Sequence, residues 1–205
     1  GYNTILLNWG VLITSSPRVR AIKWVELREN TPGVWTLYQE GIYQPDSKAR
    51  WLGSMAMDDN GSIALCYARS STTAGDYASL YYTGRCAGDP LGTMTFAETL
   101  AKAGTGAQTG INRFGDYSQT TLDSDGLTFY HTAEYLGGSG TSGSPRTWVY
   151  SFKLTPCATG INDAPDLSDQ VSAISANGDI NVKAENLNVD GDLVVDLFDI
   201  NGKQI

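Results

Sequence analysis

The chain has 205 residues, 41% hydrophobic and 10% aromatic, enough to build a core for one large or two modest domains. Charge is sparse, at 18% of residues, and its net of −8 excludes the basic surface that a nucleic-acid groove needs. No run approaches the roughly 18 apolar residues of a membrane-spanning helix.

Strand signals begin at once. Residues 3–13 and 18–28 are expected strands, and the turn Pro32-Gly33 leads into a third at 34–43. Four more are expected at 53–58, 62–70, 78–86 and 93–101, and three at 116–123, 127–136 and 146–154. Polar-apolar alternation is weak in several of them, as in sheets covered on both faces. Turn spacing and β-branched and aromatic content therefore carry the assignment.

Two stretches repeat. Arg50-Trp51 recurs as Arg113-Phe114, an offset of 63, and Met57-Asp58-Asp59-Asn60-Gly61 recurs as Leu122-Asp123-Ser124-Asp125-Gly126, an offset of 65. Each copy is a strand end, an acidic glycine turn and a second strand. Such a period, built only from strands and turns, points to an all-β repeat array of propeller type. Grouped in fours, the strands make about two and a half blades over residues 1–155. One set is complete, preceded by the last three strands of one blade and followed by the first three of another. The fourth strand of the final blade is expected from an earlier part of a longer protein, since the chain starts as if within a strand and stops just past a turn.

The texture changes after Leu154. Pro156, Pro165 and small or acidic residues mark a linker over 156–170. A second, incomplete small β-domain follows at 171–205. It has a strand-turn-strand pattern at 174–182, another strand at 193–200 and the hairpin signal Asn201-Gly202.

The chain has three cysteines. Cys86 ends one strand and Cys157 follows another, both at the periphery of their repeats, so these two are expected to pair. Cys66 lies inside an apolar strand and reads as a buried free thiol. No Cys/His cluster with zinc spacing exists, no EF-hand spacing occurs and no glycine-rich phosphate loop opens a helix. The acidic turns carry oxygens of the kind calcium favours, yet tight hairpins account for the same residues. No cofactor or metal is expected.

The densest polar and aromatic group is Arg113, Asp116, Tyr117, His131, Glu134, Tyr135 and Arg146. Arginines can clamp carboxylates, and Tyr with Glu can serve as nucleophile and base. His131 is the only histidine, so any imidazole chemistry must use it. The same residues would equally hydrogen-bond and pack within a sheet. Trp35, Tyr38 and Tyr43 are open to two readings as well, stacking on sugars or packing between sheets.

Two resemblances carry these readings further. The runs RWLGSMAMDDNGSIALCYARSS, SLYYTGRCAGDPLGTM and RFGDYSQTTLDSDGLTFYHTAEYL make residues 1–155 similar to the sialidase-like (BNR-type) β-propeller regions of large secreted Bacteroidota proteins. Gly126-Leu127-Thr128-Phe129 matches the end of the sialidase Asp-box S-x-D-x-G-x-T-W with Phe for Trp, and Ser124 stands where the box has Asp. The runs ISANGDINVKAENL and DLVVDLFDINGKQI resemble the start of a type IX secretion sorting domain, a small β-sandwich, without its YPNP-like opening or basic tail. The resemblances imply an extracellular or cell-surface protein that meets the secretion machinery through its C-terminal domain. They also imply a module that binds or presents an extracellular glycan or polymer. The alternative is a sialidase-like glycoside hydrolase using Tyr117 or Tyr135 with Glu134 and the arginines.

Overall fold

The computed structural model describes residues 2–110, 113–155, 157, 171–176 and 179–184. The chain divides into two compact units, 1–160 and 161–205. Among the described residues there are strands and turns but no helix, and so none long and apolar enough to cross a membrane.

The first unit holds three antiparallel sheets, none of them closed. The first sheet is β1 (Asn3–Ser15), β2 (Arg18–Thr31) and β3 (Val34–Tyr43) in that order. The second is β4 (Ala49–Met57), β5 (Ile63–Ser70), β6 (Ser79–Arg85) and β7 (Thr99–Lys102). The third runs β8 (Gln119–Leu122), β9 (Phe129–Ser139) and β10 (Ser142–Phe152).

The second sheet is sandwiched between the other two, and β5 shows why. Successive side chains of a strand point to opposite faces. Leu65 and Tyr67 meet Ile22, Tyr43 and Tyr81 on the side of the first sheet. Ala64 meets Phe129 and Leu154, and Ala68 meets Leu80 and Ala133, on the side of the third. Residues 63–68 are therefore all buried, which is why their sequence is a continuous apolar run rather than an alternation. Fully buried residues such as Leu65, Ile63 and Phe129 each contribute roughly 1.5–3 kcal/mol of transfer free energy.

The two acidic turns are built alike. Asp58 closes the first through its backbone N–H to Ser62 O (2.9 Å), and Asp123 closes the second to Thr128 O (2.8 Å). Gly61 and Gly126 sit at φ 79° and 70°, a left-handed conformation that side-chain-bearing residues avoid. The aspartates satisfy turn N–H groups: Asp58 accepts from Asn60 and Ser62, and Asp125 from Leu127 and Thr128. The two turns also touch, Asp59 N donating to Gly126 O at 2.9 Å.

Several strand limits differ from expectation for local reasons. β4 begins at Ala49 rather than Gly53, because the strand continues through an irregularity at Leu52 (φ 52°) and Gly53. β7 is only Thr99–Lys102. The stretch before it runs beside β6 without forming a ladder, tied by Phe96 N to Gly84 O and by the Thr83 hydroxyl to Phe96 O. β8 starts at Gln119 because 113–118 forms a loop whose Gly115 N–H is held by Glu134. Cys86 and Cys157 form a disulfide with Cα atoms 5.3 Å apart, the pair expected from the sequence, and Cys66 is free and buried.

In the second unit, β11 (Val171–Ala176) pairs antiparallel with β12 (Asp179–Ala184). These are the two strands of the expected 174–182 pattern, each longer than expected, and the turn between them lies outside the described residues. The expected strand at 193–200, the Asn201-Gly202 hairpin and nearly all of the expected linker lie outside the described residues.

Candidate functional site

An open cleft of about 580 Å³ lies at one end of the second and third sheets. Three groups wall it: the β5–β6 loop (residues 70–78), the pairs Ala107-Gln108 and Arg113-Phe114, and the β9–β10 hairpin with Leu136, Gly140 and Thr141. Trp51 from β4 and Phe114 meet edge to face, ring centres 6.0 Å apart, over the core cluster of Ala68, Leu80 and Ala133. Hydroxyls of Ser70, Ser71, Thr72 and Thr73, with Asp76 and Tyr77, supply the polar side. Aromatic faces beside hydroxyl, carboxyl and amide groups are the chemistry that packs on sugar rings and hydrogen-bonds their hydroxyls.

Glycines let the walls come together. A Cβ on Gly106 would lie 2.8 Å from Gly143 Cα, and one on Gly143 would lie 2.7 Å from the Ala107 backbone. Only bare backbone permits that approach. It is closed by Ala107 N to Gly140 O (2.6 Å) and Gly143 N to Ala107 O (2.7 Å).

The β5–β6 loop is held by its own hydrogen bonds and by ions behind it. The Ser71 hydroxyl donates to Asp76 (2.7 Å) and accepts from Thr73 N, and Asp76 N returns to Thr73 O. Asp76 also pairs with Lys48 (3.0 Å) and Arg69 (3.6 Å). Burial raises the Asp76 carboxyl, but the Ser71 hydroxyl and the two cations outweigh it and hold it below its ordinary value.

Arg69 leads into a buried ionic cluster that faces the first sheet. Glu98 accepts from Arg50 Nε and Nη2 (both 2.8 Å), from Arg69 Nη1 (2.8 Å) and from the Tyr67 hydroxyl (2.9 Å). Arg50 has no exposed side-chain surface and also donates to Asp46 (2.7 Å) and Lys48 O. Burial raises the Glu98 carboxyl, yet the two guanidiniums and the phenol bring it below its ordinary value. For Arg50 burial acts against the charge, and Glu98 and Asp46 overcome it, raising its pKa. The Tyr67 phenol is pushed up by burial, then by Tyr43 and Glu98. Apart from Arg69 Nε, which is buried without a partner, the cluster's donors and acceptors meet one another, so its role is to fix β4, β5 and the start of β7 and, through Arg69 and Asp76, the cleft loop.

Of the residues singled out from the sequence, only Arg113 lines this cleft. It pairs with Asp116 on the surface. Tyr117 projects into solvent at 87% exposure. Glu134 holds Gly115 N at 3.0 Å. Tyr135 packs edge to face on Trp148 with Lys102 over both rings. Arg146 is exposed. His131 is fully buried, sharing a 2.8 Å hydrogen bond with the Thr120 hydroxyl and lying against Tyr150, and burial pulls its pKa down to about 4. Thr120 and Tyr150 also lie on the Cys66 thiol, which burial pushes up to about 12, so at neutral pH the thiol stays protonated and the imidazole neutral. The seven residues do not converge: Glu134 and Tyr135 point to opposite faces of β9. Tyr43 is a core residue between sheets, Tyr38 stacks on Arg28 and Trp35 is exposed.

The sequence reading missed Trp51, Asp76, Tyr77 and Phe114 as cleft residues. Trp51 and Phe114 were visible as the repeated Arg-aromatic pair, and that recurrence was the available signal. Among the described residues no group of three or more His, Cys, Asp or Glu is placed to hold a metal ion. Comparison with protein-family models, with curated proteins and with solved structures gives no match for this chain.

Proposed function

We propose that this chain is part of a sialidase-like β-propeller, that its three stacked sheets are blades, and that it works outside the cell as a non-catalytic module binding an extracellular glycan. The observation that carries the binding reading is the cleft walled by Trp51, Tyr77 and Phe114 and lined by serine and threonine hydroxyls. The propeller reading is supported by face-to-face stacking of antiparallel sheets and by the abutting, recurrent acidic turns. The disulfide suits an oxidising compartment. Export through a type IX sorting domain at residues 171–205 rests on the sequence resemblance, and the antiparallel pairing of β11 with β12 is compatible with it. A glycoside hydrolase would need its Tyr and Glu to converge on one bond. Tyr135 and Glu134 lie on opposite faces of a strand and Tyr117 faces solvent, so binding is the favoured activity.

Affinity electrophoresis through gels containing soluble polysaccharides tests this. Retardation by at least one polysaccharide is expected, and it should be lost in Trp51→Ala and in Phe114→Ala while their thermal unfolding stays cooperative. No retardation in any gel, or retardation unchanged in both variants, would refute binding at the cleft. Turnover of a fluorogenic sialoside would instead support the hydrolase.

A further inference from the structure

The first sheet has one face covered by the second sheet and one face open. Along the ladder, Ile22, Trp24 and Tyr43 point to the covered side, and Ile5, Leu7, Trp9, Trp35, Leu37 and Ile42 to the other. These six are 38–54% exposed. Of the charges on this side, Lys23 and Glu40 form an ion pair at 2.6 Å, and Glu29, toward one end of the sheet, accepts from Asn3 and Gly33 N. With strands of 13, 14 and 10 residues, the face spans about 600 Å², from ~3.4 Å per residue and ~4.8 Å between strands. That footprint, polar positions included, approaches the roughly 800 Å² per partner of a standard interface.

We propose that this face docks a further antiparallel sheet of the same repeat, one presenting aliphatic side chains from a middle strand. The argument is continuity with the two interfaces inside the unit. The corresponding face of the second sheet, carrying Leu65 and Tyr67, is covered by Ile22 of β2. The corresponding face of the third sheet, carrying Phe129 and Ala133, is covered by Ala64 and Ala68 of β5. In both, the preceding antiparallel sheet is the cover. The open face of the first sheet is the one such face without a preceding sheet among the described residues. A second copy meeting it face to face would press Trp9 and Trp35 on the same bulky residues. The interface around Phe129 instead sets alanines against aromatics. The inference rests on the sheet-stacking part of the proposed function and is independent of glycan binding.

Hydroxyl-radical footprinting tests it, on the protein purified from its native source and on the 205-residue chain. The native-source protein should oxidise Trp9 and Trp35 as slowly as buried Trp24, with half-exposed Trp148 as the fast reference. In the isolated chain, monomeric by sedimentation, Trp9 and Trp35 should oxidise as fast as Trp148. Fast oxidation in both preparations overturns the proposal. So does protection of the isolated chain that grows with concentration as its mass doubles, which would make a second copy the occupant. A photo-leucine at position 7 of the native protein should crosslink within a β-sheet of the same repeat, and a crosslink to an unrelated protein would overturn the assignment.

Discussion

Replacing Glu98 with Ala removes the acceptor that Arg50, Arg69 and Tyr67 share. Arg50 is fully buried, so its charge cannot rehydrate without opening the sheet, and it would keep only Asp46 and Lys48 O. Breaking a buried pair from one side costs about 3–5 kcal/mol, and the surviving Asp46 contact places this case near 3 kcal/mol. That is a large part of the roughly 5–15 kcal/mol that holds a domain together. Urea unfolding followed by tryptophan fluorescence at pH 7 should show the midpoint falling by about 1.5 M at an ordinary slope. Glu98→Gln, which keeps shape and one acceptor, should fall between Ala and wild type. The acid limb gives a second reading. Glu98 has a folded pKa below its ordinary 4.5, so its contribution is complete above that value and is lost as pH falls through the folded pKa. The Ala variant should lack that part of the acid-induced loss. A cost under about 1 kcal/mol at pH 7 would mean that the cluster behaves as a screened surface pair, and the reasoning would fail.

His131 supplies a separate pH test. Its pKa falls from 6.5 to about 4 on folding because burial disfavours the imidazolium. The unfolded chain therefore binds the extra proton between those values, and stability falls by roughly 3 kcal/mol as pH drops from 6.5 to 4. His131→Phe should flatten that interval in urea titrations, and an unchanged slope would refute a buried neutral imidazole. Removing the Cys86–Cys157 bond by Cys86→Ser should cost about 4 kcal/mol by the chain-entropy relation for partners 71 residues apart. Peptide mapping of oxidised protein should find that bond, with Cys66 alkylated only after unfolding. Free thiols at both 86 and 157 would contradict it.

Much of the fold was legible in one dimension. The turn glycines Gly61 and Gly126 mark a conformation that few other residues accept, so the recurrent hairpins could be read directly. The order of ten strands in the first unit followed from those turns and from β-branched and aromatic runs. Limits failed where the backbone departs from a regular ladder, at Leu52, before Thr99 and before Gln119. Propensity is blind to such irregularities because they are settled by neighbouring strands.

The cleft was not legible in the sequence, and only Arg113 of the seven residues singled out lines it. Arg, Asp, Tyr, His and Glu crowd residues 113–146, but strand alternation sends them to different faces and a hydrophobic interface swallows His131. The charged side chains that do converge, Arg50, Arg69 and Glu98, are up to 48 residues apart. Local sequence therefore determined the all-β class, the hairpins, the repeat and, through cysteine placement, the disulfide, because each depends on backbone preference or on few residues. Only the stacking of the sheets decided which charges are buried together and which aromatics open onto a cleft. Burial, desolvation and side-chain contact depend on distances through space, which residue spacing along the chain does not encode.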